Sequence, residues 1–320
     1  MNDKIKQQWF LLGLVLIFIC LVLDVSGKFA LAGNFLKNRH GSDIVIFLIF
    51  IMSGLIIEIE EIKSGIKDIP ATFIALFVIL IISPGAAVLL SLFPFEKGLI
   101  IGLFLVAVMP TTLSSGVVMT REAGGNMAHA LFITIVSNTI SFISIPFFLS
   151  LLLAFSFESQ NVQIDQVAIV VRLFALVVVP LAIGLTFKSF FLKTGTKIKK
   201  RIQVVNQILV LGIVFMAASG TKDLSCNNFK QLFVIVLIVT VFHLILLLFS
   251  FSGTKLFKIG RGRYESVLFM GSQKTLPLCV IIQISYFSEY SIALLVCVVH
   301  HFIHLMIDGY LSVKIRGQNQ

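Results

Sequence analysis

The sequence predicts an all-α, polytopic membrane protein with ten transmembrane helices, and three observations lead to that fold class. Apolar residues make up 58% of the 320 residues and charged residues only 12%, with a mean hydropathy of +1.05, so polar side chains are too few to cover a soluble globule. Apolar runs of about 20 residues, the length that a helix needs to cross a bilayer, recur along the whole chain. These runs lack the short alternation of a β-barrel strand.

Each apolar run is predicted to be a helix, because backbone groups in lipid must be satisfied within their own segment. The ten predicted spans lie near residues 9–27, 43–59, 69–93, 98–120, 126–155, 166–187, 202–220, 229–252, 264–287 and 289–313. They divide into two halves of five spans, residues 1–160 and 161–320. An odd number of spans per half turns the second half upside down relative to the first. Inverted repeats of this kind are an architecture of membrane transporters.

The distribution of Lys and Arg gives the expected orientation. Most of them fall in loops on one side of the predicted topology, which predicts a multi-pass protein of the cell membrane with both termini cytoplasmic. The net charge of +10 is therefore interpreted as topology, and the basic stretch 193–201 as a cytoplasmic loop lying against anionic lipid. Nucleic-acid binding is not expected, because the basic residues are not interleaved with a recognition fold.

The start of the chain allows one alternative. Lys4 and Lys6 precede an apolar run, and Ala30-Leu-Ala32 resembles a signal-peptide cleavage site. The run from Trp9 to Val25 is longer than the usual signal core, and its removal would leave nine spans, so a first transmembrane helix is preferred. The four cysteines have no paired spacing, which predicts neither a disulfide framework nor a zinc site.

One polar, helix-breaking segment interrupts the fourth span of each half. The first is Pro110-Thr-Thr-Leu-Ser-Ser-Gly116, and the second is Gly271-Ser-Gln-Lys-Thr-Leu-Pro277. Proline lacks an amide hydrogen and glycine relaxes the backbone, so both segments are predicted to unwind. Unwound backbone at mid-membrane depth binds ions and substrates in transporters. The alternative is a pair of simple kinks in packed helices. The candidate binding residues here are Thr111, Thr112, Ser114, Ser115, Gln273, Lys274 and Thr275.

A third polar group lies in the fifth span. Its members are spaced at i, i+3, i+4 and i+7, so they share one helical face that is expected to point inward. They are Thr134, Ser137, Asn138 and Ser141. The alternative is hydrogen bonding between helices that serves packing alone.

At these positions the chain resembles a known family. The segment Met109-Pro-Thr-Thr-Leu-Ser-Ser-Gly-Val-Val-Met-Thr-Arg-Glu-Ala-Gly-Gly-Asn126 is similar to the fourth-span signature of the bile acid:sodium symporter family, and closest to its SBF-like branch. Shorter similarities occur at Phe50-Ile-Met-Ser-Gly-Leu55, from Ala130 to Pro146, and at Gly271-Ser-Gln-Lys-Thr-Leu276. The resemblance implies a panel and a core domain, crossed helices four and nine, and alternating access for organic anions with sodium.

The family's sodium ligands are only partly matched. Ser115 and Thr134 match a fourth-span Ser and a fifth-span Thr, and Gln273 matches a ninth-span Gln. The other ligands of the family are replaced. The replacing residues are Gly116, Ala130, Phe269 and Lys274. Both sodium sites are therefore expected to be damaged.

Lys274 is singled out, because a cation at the bilayer centre costs about 2.5–3.5 kcal/mol on insertion scales. The hypothesis is that its ammonium occupies the place of a sodium ion; a second possibility is that it carries a coupling proton. The alternative is a lysine that reaches water or pairs with Glu265 or Asp308. In span ten, His300, His304 and Asp308 share a face with spacing that can bind zinc, although mutual hydrogen bonding is the expected arrangement.

The expected function is secondary transport of a small organic anion by alternating access, coupled to sodium or to a proton, with no enzymatic activity and no resident metal or cofactor. Two alternatives stay open. One is a regulatory membrane protein of the same fold that carries no flux. The other is an intramembrane zinc enzyme, which would need convergent carboxylates or a fuller set of metal ligands.

Overall fold

The computed structural model describes residues 27–56, 68–112, 115–156, 165–191, 196–219 and 229–317, together with isolated positions between 9 and 24. Within these ranges the regular secondary structure is entirely helical, which confirms the predicted all-α class. The predicted first span lies largely outside the described residues, as does Ser114.

The first half of the chain contributes six described helices. They are α1 (Lys28–Asn38), α2 (Gly41–Ile56), α3 (Ile69–Ser91), α4 (Lys97–Val108), α5 (Ser115–Glu122) and α6 (Met127–Ser156). Helix α3 contains one π-helical segment, Val78–Ile82, directly before Pro84. A π-helical turn shifts the hydrogen-bond register by one residue and is often found at functional sites.

The second half contributes six more. Helix α7 runs through Gln166–Leu173, a π-helical segment at Phe174–Val178, and Val179–Phe191. The others are α8 (Thr196–Ser219), α9 (Phe229–Leu256), α10 (Arg263–Ser272), α11 (Leu276–Tyr286) and α12 (Ser291–Gly317). Residues 196–201, predicted to be a loop, form the first turns of α8. This part of the prediction was wrong, because it followed the basic charge, which is compatible with a helix end outside the lipid.

Seven of the described helical segments are long and apolar enough to cross a membrane. They are Ile69–Ser91, Met127–Ser156, Gln166–Lys188, Arg201–Ser219, Lys230–Leu256, Arg263–Tyr286 and Ser291–Gly317. Helices α1 and α2, bent by 71° at their junction, form one further candidate. The fold is therefore that of a polytopic membrane protein, while ten spans in two inverted repeats stay a prediction.

Helix α1 was not predicted. Its eleven residues are too short for a span, and Asn34 and Lys37 interrupt its apolar pattern, so the sequence was read as a loop. The helix is held by tertiary contacts with α8. Asn34 donates to the backbone carbonyl of Ser219 (3.0 Å), and Gly33 lies against the side chain of Ser219.

The segment with the broken ninth span lies at the centre of the molecule. In the most apolar stretch of Arg263–Tyr286, 89% of the residues are buried, against 28–56% in the other six candidate spans. Large apolar side chains such as Ile69, Ile143 and Phe233 point outward, as expected for a surface that faces lipid. Cys279 and Cys297, which have no paired spacing in the sequence, contact each other between α11 and α12 as free thiols.

The second-span motif contains a close approach of two helices, α2 and α7. A Cβ atom on Gly54 would lie 2.4 Å from the carbonyl oxygen of Leu181 and 3.0 Å from the Cα of Gly184. Both neighbours are backbone atoms, which cannot move without displacing the helix. Small residues at such crossings let membrane helices pack closely.

We expect Gly54→Ala to lower the free energy of unfolding by about 1–3 kcal/mol, the usual cost of overpacking a tight contact. The matched control is Gly85→Ala in α3, where a Cβ atom meets nothing within 4 Å. This control should be neutral or slightly stabilising, because alanine is the better helix former. Thermal unfolding of the two purified variants measures the difference, and equal melting temperatures would contradict the packing role of Gly54.

Candidate functional site

The two predicted helix breaks are present, and they meet. Helix α4 ends at Val108 and α5 begins at Ser115, while α10 ends at Ser272 and α11 begins at Leu276. Met109 and Gln273, the first residues after α4 and α10, have extended backbone, with ψ angles of 145° and 148°. The amide of Thr275 donates to the carbonyl of Pro110 (3.0 Å), so the two breaks are joined backbone to backbone.

Proline accounts for the position of each break. Pro110 disfavours helical backbone at Met109 and offers no amide to the preceding turn, so α4 cannot continue. Pro277 lies in the first turn of α11, where the missing amide costs nothing. Pro110 and Pro277, which predicted the two breaks from the sequence, therefore also explain where the helices end and begin in the structure.

Gln273 connects the two breaks through its side chain. Its Oε1 accepts hydrogen bonds from the hydroxyls of Thr112 (2.8 Å) and Ser115 (2.9 Å). The Thr112 hydroxyl in turn accepts from the amide of Gly116 (3.0 Å), which caps the start of α5. Gln273 is fully buried, so these bonds satisfy an amide that has no access to water.

Gly116 is required by close packing at this point. A Cβ atom there would lie 2.6 Å from the sulfur of Met270 and 3.2 Å from Oε1 of Gln273. The glycine therefore belongs to the same arrangement as Gln273 and the two hydroxyls.

Lys274 is buried, with 2% of its surface exposed, and its ammonium contacts three backbone carbonyls. Its Nζ lies 3.3 Å from the oxygen of Ile79, 3.1 Å from that of Ala107 and 2.9 Å from that of Met109. An ammonium has three N–H donors, so three acceptors satisfy it completely. Among the described residues, the hydrogen-bond acceptors of the ammonium are these three backbone carbonyls.

The three carbonyls are available for identifiable reasons. In the π-helical segment of α3 the amide of Ser83 bonds to the carbonyl of Val78. In that register the carbonyl of Ile79 would accept from residue 84, which is Pro84 and has no amide hydrogen. Ala107 and Met109 lie at the carboxyl end of α4, where carbonyls lack helical donors and the helix dipole favours a cation. Sequence reasoning missed Ile79; the proline in the third span was its only local signal.

Neither carboxylate considered as a partner for Lys274 is bonded to it. Glu265 accepts from the amide of Gly262 (2.7 Å) at the start of α10. Asp308 accepts from Gln273 (2.8 Å) and contacts His243 (3.0 Å). The alternative of a Lys–carboxylate pair was therefore wrong for these two residues.

We expect Pro84→Ala to impair the site while leaving the protein folded. The new amide would bond to the carbonyl of Ile79 and compete with the ammonium of Lys274. Pro180→Ala is the matched control, because Pro180 follows the π-helical segment of α7 in the same register, where Val179 bonds to Phe174. Thermal unfolding and anion uptake measured on both variants should separate them. Equal uptake would mean that the Ile79 carbonyl contributes nothing.

The polar face of α6 points at the first break, as predicted. Asn138 donates to the carbonyls of Thr111 (3.2 Å) and Thr134 (2.8 Å), and the hydroxyl of Thr134 lies 3.4 Å from the carbonyl of Thr112. Ser137 and Ser141 donate to carbonyls at i−3 of their own helix, so among the described residues they do not make the interhelical bonds of the packing alternative. Two buried oxygens next to the break have no hydrogen-bond partner among the described residues: Oγ1 of Thr111 and Oδ1 of Asn138.

The histidines of the tenth span are buried on α12, and His243 of α9 joins them. Across the described part of the chain, no three His, Cys, Asp or Glu side chains are placed to hold a metal ion. On the face of His300, His304 and Asp308, Asp308 instead contacts His243, and His304 contacts His301.

Comparison with known proteins agrees with this architecture. Residues 8–317 match the model of the SBF-like CPA transporter family. The chain is 31% identical over 278 residues to the probable sodium/metabolite cotransporter BASS4, chloroplastic, of Arabidopsis thaliana. The matched region is 82% of this chain and 63% of the Arabidopsis protein.

Vertebrate proteins are similar as well. The chain is 27% identical over 287 residues to sodium/bile acid cotransporter 7 of Xenopus tropicalis, covering 86% of this chain and 81% of the relative. The protein of the same name from Danio rerio is 26% identical over 283 residues, with coverage of 86% and 82%. A match over nearly the whole chain, on a fold with two joined helix breaks, shows that the protein belongs to the SBF-like CPA transporter family.

Proposed function

We propose that the protein is a secondary transporter that moves a small organic anion across the membrane by alternating access, with Lys274 in the place of a coupling cation. The proposal includes ten spans in two inverted repeats, residues 1–160 and 161–320, of which the broken fourth and ninth spans form the centre. The names of the relatives, cotransporters of bile acids and metabolites with sodium, support transport as the activity.

The observation that carries the proposal is the coordination of the Lys274 ammonium. Transporters of broken-helix architecture bind sodium through unwound carbonyls and the carboxyl ends of half-helices. Lys274 is bound by that set of groups: two carbonyls at the end of α4 and one freed by Pro84. A cation bonded to the protein cannot leave, so this charge does not need to be supplied by external sodium.

The same charge favours an anionic substrate. Helices α5 and α11 begin at the two breaks, and helix amino ends carry partial positive charge. The ammonium adds one full charge with no carboxylate bonded to it. A single negative charge on the substrate therefore fits the site better than several, which favours a monovalent organic anion.

Two ions remain candidates for coupling. The unpartnered oxygens of Thr111 and Asn138, near Thr134, could accept sodium in the first break. A proton is the other candidate. The proposal further places the protein in the cell membrane with cytoplasmic termini and basic residues against anionic lipid, and assigns it no enzymatic reaction and no resident cofactor.

The test is exchange of radiolabelled monovalent anions, beginning with taurocholate and pyruvate, in liposomes that contain the purified protein. Uptake that persists when potassium replaces sodium supports the proposal. Lys255→Gln, which removes an exposed lysine at the end of α9, serves as the control for Lys274→Gln. Failure of any anion of the panel to exchange, in protein that unfolds cooperatively, would favour the regulatory alternative instead.

A further inference from the structure

A cluster of histidines next to the second break is the largest group of titratable side chains that the proposed function leaves unused. His243 lies on α9 and the other members on α12. All are buried: His243, His304 and Asp308 are 0% exposed, His300 is 1% and His301 is 7% exposed. Buried ionisable residues within membrane helices are costly and generally serve a function.

One end of the cluster is bonded to the site. Asp308 Oδ1 lies 3.0 Å from Nε2 of His243, and Oδ2 accepts from the side-chain amide of Gln273 at 2.8 Å. The other atom of that amide, Oε1, holds the hydroxyls of Thr112 and Ser115 in the first break. A change at Asp308 is therefore one hydrogen bond away from the groups that join the two breaks.

The other end also reaches the second break. His304 Nε2 lies 2.9 Å from Nδ1 of His301, and His301 hydrogen-bonds the backbone of Lys274. The rings of His300 and His243 close the cluster, with centroids 5.3 Å and 5.9 Å from that of His304. His301, the most exposed member, and Asp308 thus contact two consecutive residues of the break.

Three ring nitrogens in the cluster are buried and have no hydrogen-bond partner in the part of the chain that the structure describes. They are Nδ1 of His243, Nε2 of His300 and Nδ1 of His304. A neutral imidazole carries one N–H and one bare nitrogen, and protonation makes both nitrogens donors. With Nε2 of His243 donating to the carboxylate, its Nδ1 is the position where a further proton can bind. The resulting imidazolium would be paired with Asp308.

We propose that His243, His304 and Asp308 form a proton-binding site, and that Gln273 transmits its occupancy to the helix breaks. The proton forms an N–H bond with a ring lone pair when it enters from water, and that bond breaks when the proton leaves, with no change of oxidation state. The coupling role rests on the proposed transport function, whereas the proton site itself does not.

The transmission follows from hydrogen-bond chemistry. While Oδ2 of Asp308 is bare, it accepts from Nε2 of Gln273. When His243 becomes an imidazolium, its charge draws the negative charge of the carboxylate toward Oδ1, and the hydrogen bond from Gln273 to Oδ2 is weakened. Gln273 is then free to release Thr112 and Ser115, which loosens the junction of the breaks. By linkage, any ligand that separates the breaks changes proton affinity by the same factor.

The other helices packed against α12 bring few charged groups to the cluster. Helix α4 carries Lys97 at its first residue, over the ring of Tyr290. Helix α11 carries Cys279, which contacts Cys297 of α12. Helix α5 carries Glu122, which accepts from Ser312, next to Arg121. The ammonium of Lys274 is a further charge near the cluster. On α8, Arg201 lies in the first turns of the helix.

The test is a pH titration of the full-length protein in lipid nanodiscs, followed by ¹⁵N NMR of histidine rings and glutamine side chains. Over a titration from about pH 8 to pH 5, we expect the ring signal of His243, the ring that faces Asp308, to change from neutral to charged and the Gln273 amide signal to move with the same midpoint. In Asp308→Asn the Gln273 change should be lost. His40, whose side chain is 84% exposed, serves as the solvent-exposed reference signal in every sample.

Cluster signals that stay constant while the exposed reference signal changes would overturn the site, as would an unchanged Gln273 response in Asp308→Asn. If that variant does not fold, His243→Gln provides the second test, because it keeps Asp308 and should abolish the joint titration. No substrate is added, so the result for the proton site does not depend on whether the protein transports an anion. A titrating cluster in a protein without anion exchange rejects the proposed transport alone, and anion exchange with a silent cluster rejects the proton site alone.

Discussion

Lys274→Gln is expected to reduce anion uptake by at least about 100-fold. The substitution removes the ammonium from the junction of the breaks, and losing about 3 kcal/mol of charge-assisted interaction with the substrate corresponds to two factors of ten. Glutamine is close in length and can donate two hydrogen bonds, so the carbonyls of Ile79, Ala107 and Met109 keep partial satisfaction and the protein should still fold. Uptake into liposomes, normalised to inserted protein, measures the effect.

Lys274→Arg is the informative companion. It keeps the charge but replaces a compact ammonium by a wide planar group, which three carbonyls spaced around one nitrogen do not match. We expect low uptake with a raised KM, because the charge remains but its position shifts. Uptake by Lys274→Gln equal to that of the wild type would reject the assigned role of this residue.

Gln273→Leu is expected to have the second largest effect. It deletes the side chain that bonds to Thr112 and Ser115 on one side and to Asp308 on the other. Removing one partner leaves buried polar groups unsatisfied at about 1–3 kcal/mol each, and more for a charged group such as the Asp308 carboxylate. The free energy of unfolding should therefore fall by roughly 3 kcal/mol or more, and uptake should be lost.

Gln283→Leu is the matched control for that experiment. Gln283 is also buried, and it donates to the carbonyls of Phe287 (3.0 Å) and Tyr290 (3.2 Å) at the far end of α11. Its removal should lower stability while uptake per folded molecule stays near the wild-type value. Equal loss of uptake in the two variants would show that stability, and not the junction of the breaks, limits transport.

The helix breaks could be predicted from sequence because their cause is local. Pro110 ends α4 through its own ring, whatever lies around it. Gln273 and Lys274 were identified because they lie in the second polar segment, which breaks the ninth span. The predicted spans from residue 126 to residue 187 likewise fall within a few residues of the helices, because long apolar runs have clear ends in polar loops.

The partners of these residues could not be predicted, since they depend on tertiary contacts between distant elements. The carbonyl of Ile79 becomes available only through the π-helical register before Pro84. The bond between Asp308 and His243 joins residues 65 positions apart, and no periodicity signals it. Helix α1 was missed for a similar reason: its eleven residues are stabilised by packing against α8 and not by their own pattern.

Gly116 shows how a residue can be placed correctly and explained incompletely. The sequence suggested that it relaxes the backbone of the first break. In the structure it lies at the start of α5, and its lack of a side chain makes room for Met270 and Gln273. Its main role in the structure is therefore to allow the close packing around Gln273, which the sequence pattern alone did not indicate.

The central claim, that the Lys274 ammonium occupies the place of a cation, is tested most directly by thermal stability of the purified protein in sodium and potassium titrations, in wild type and Lys274→Gln. An ion that binds only the folded state raises stability by mass action, by about 2.7 kcal/mol at 100 times its Kd. We predict that sodium-specific stabilisation is clearly larger in Lys274→Gln than in the wild type, because the carbonyls of Ile79, Ala107 and Met109 become available only in the variant. Sodium-specific stabilisation of the wild type that is unchanged in Lys274→Gln would contradict the claim.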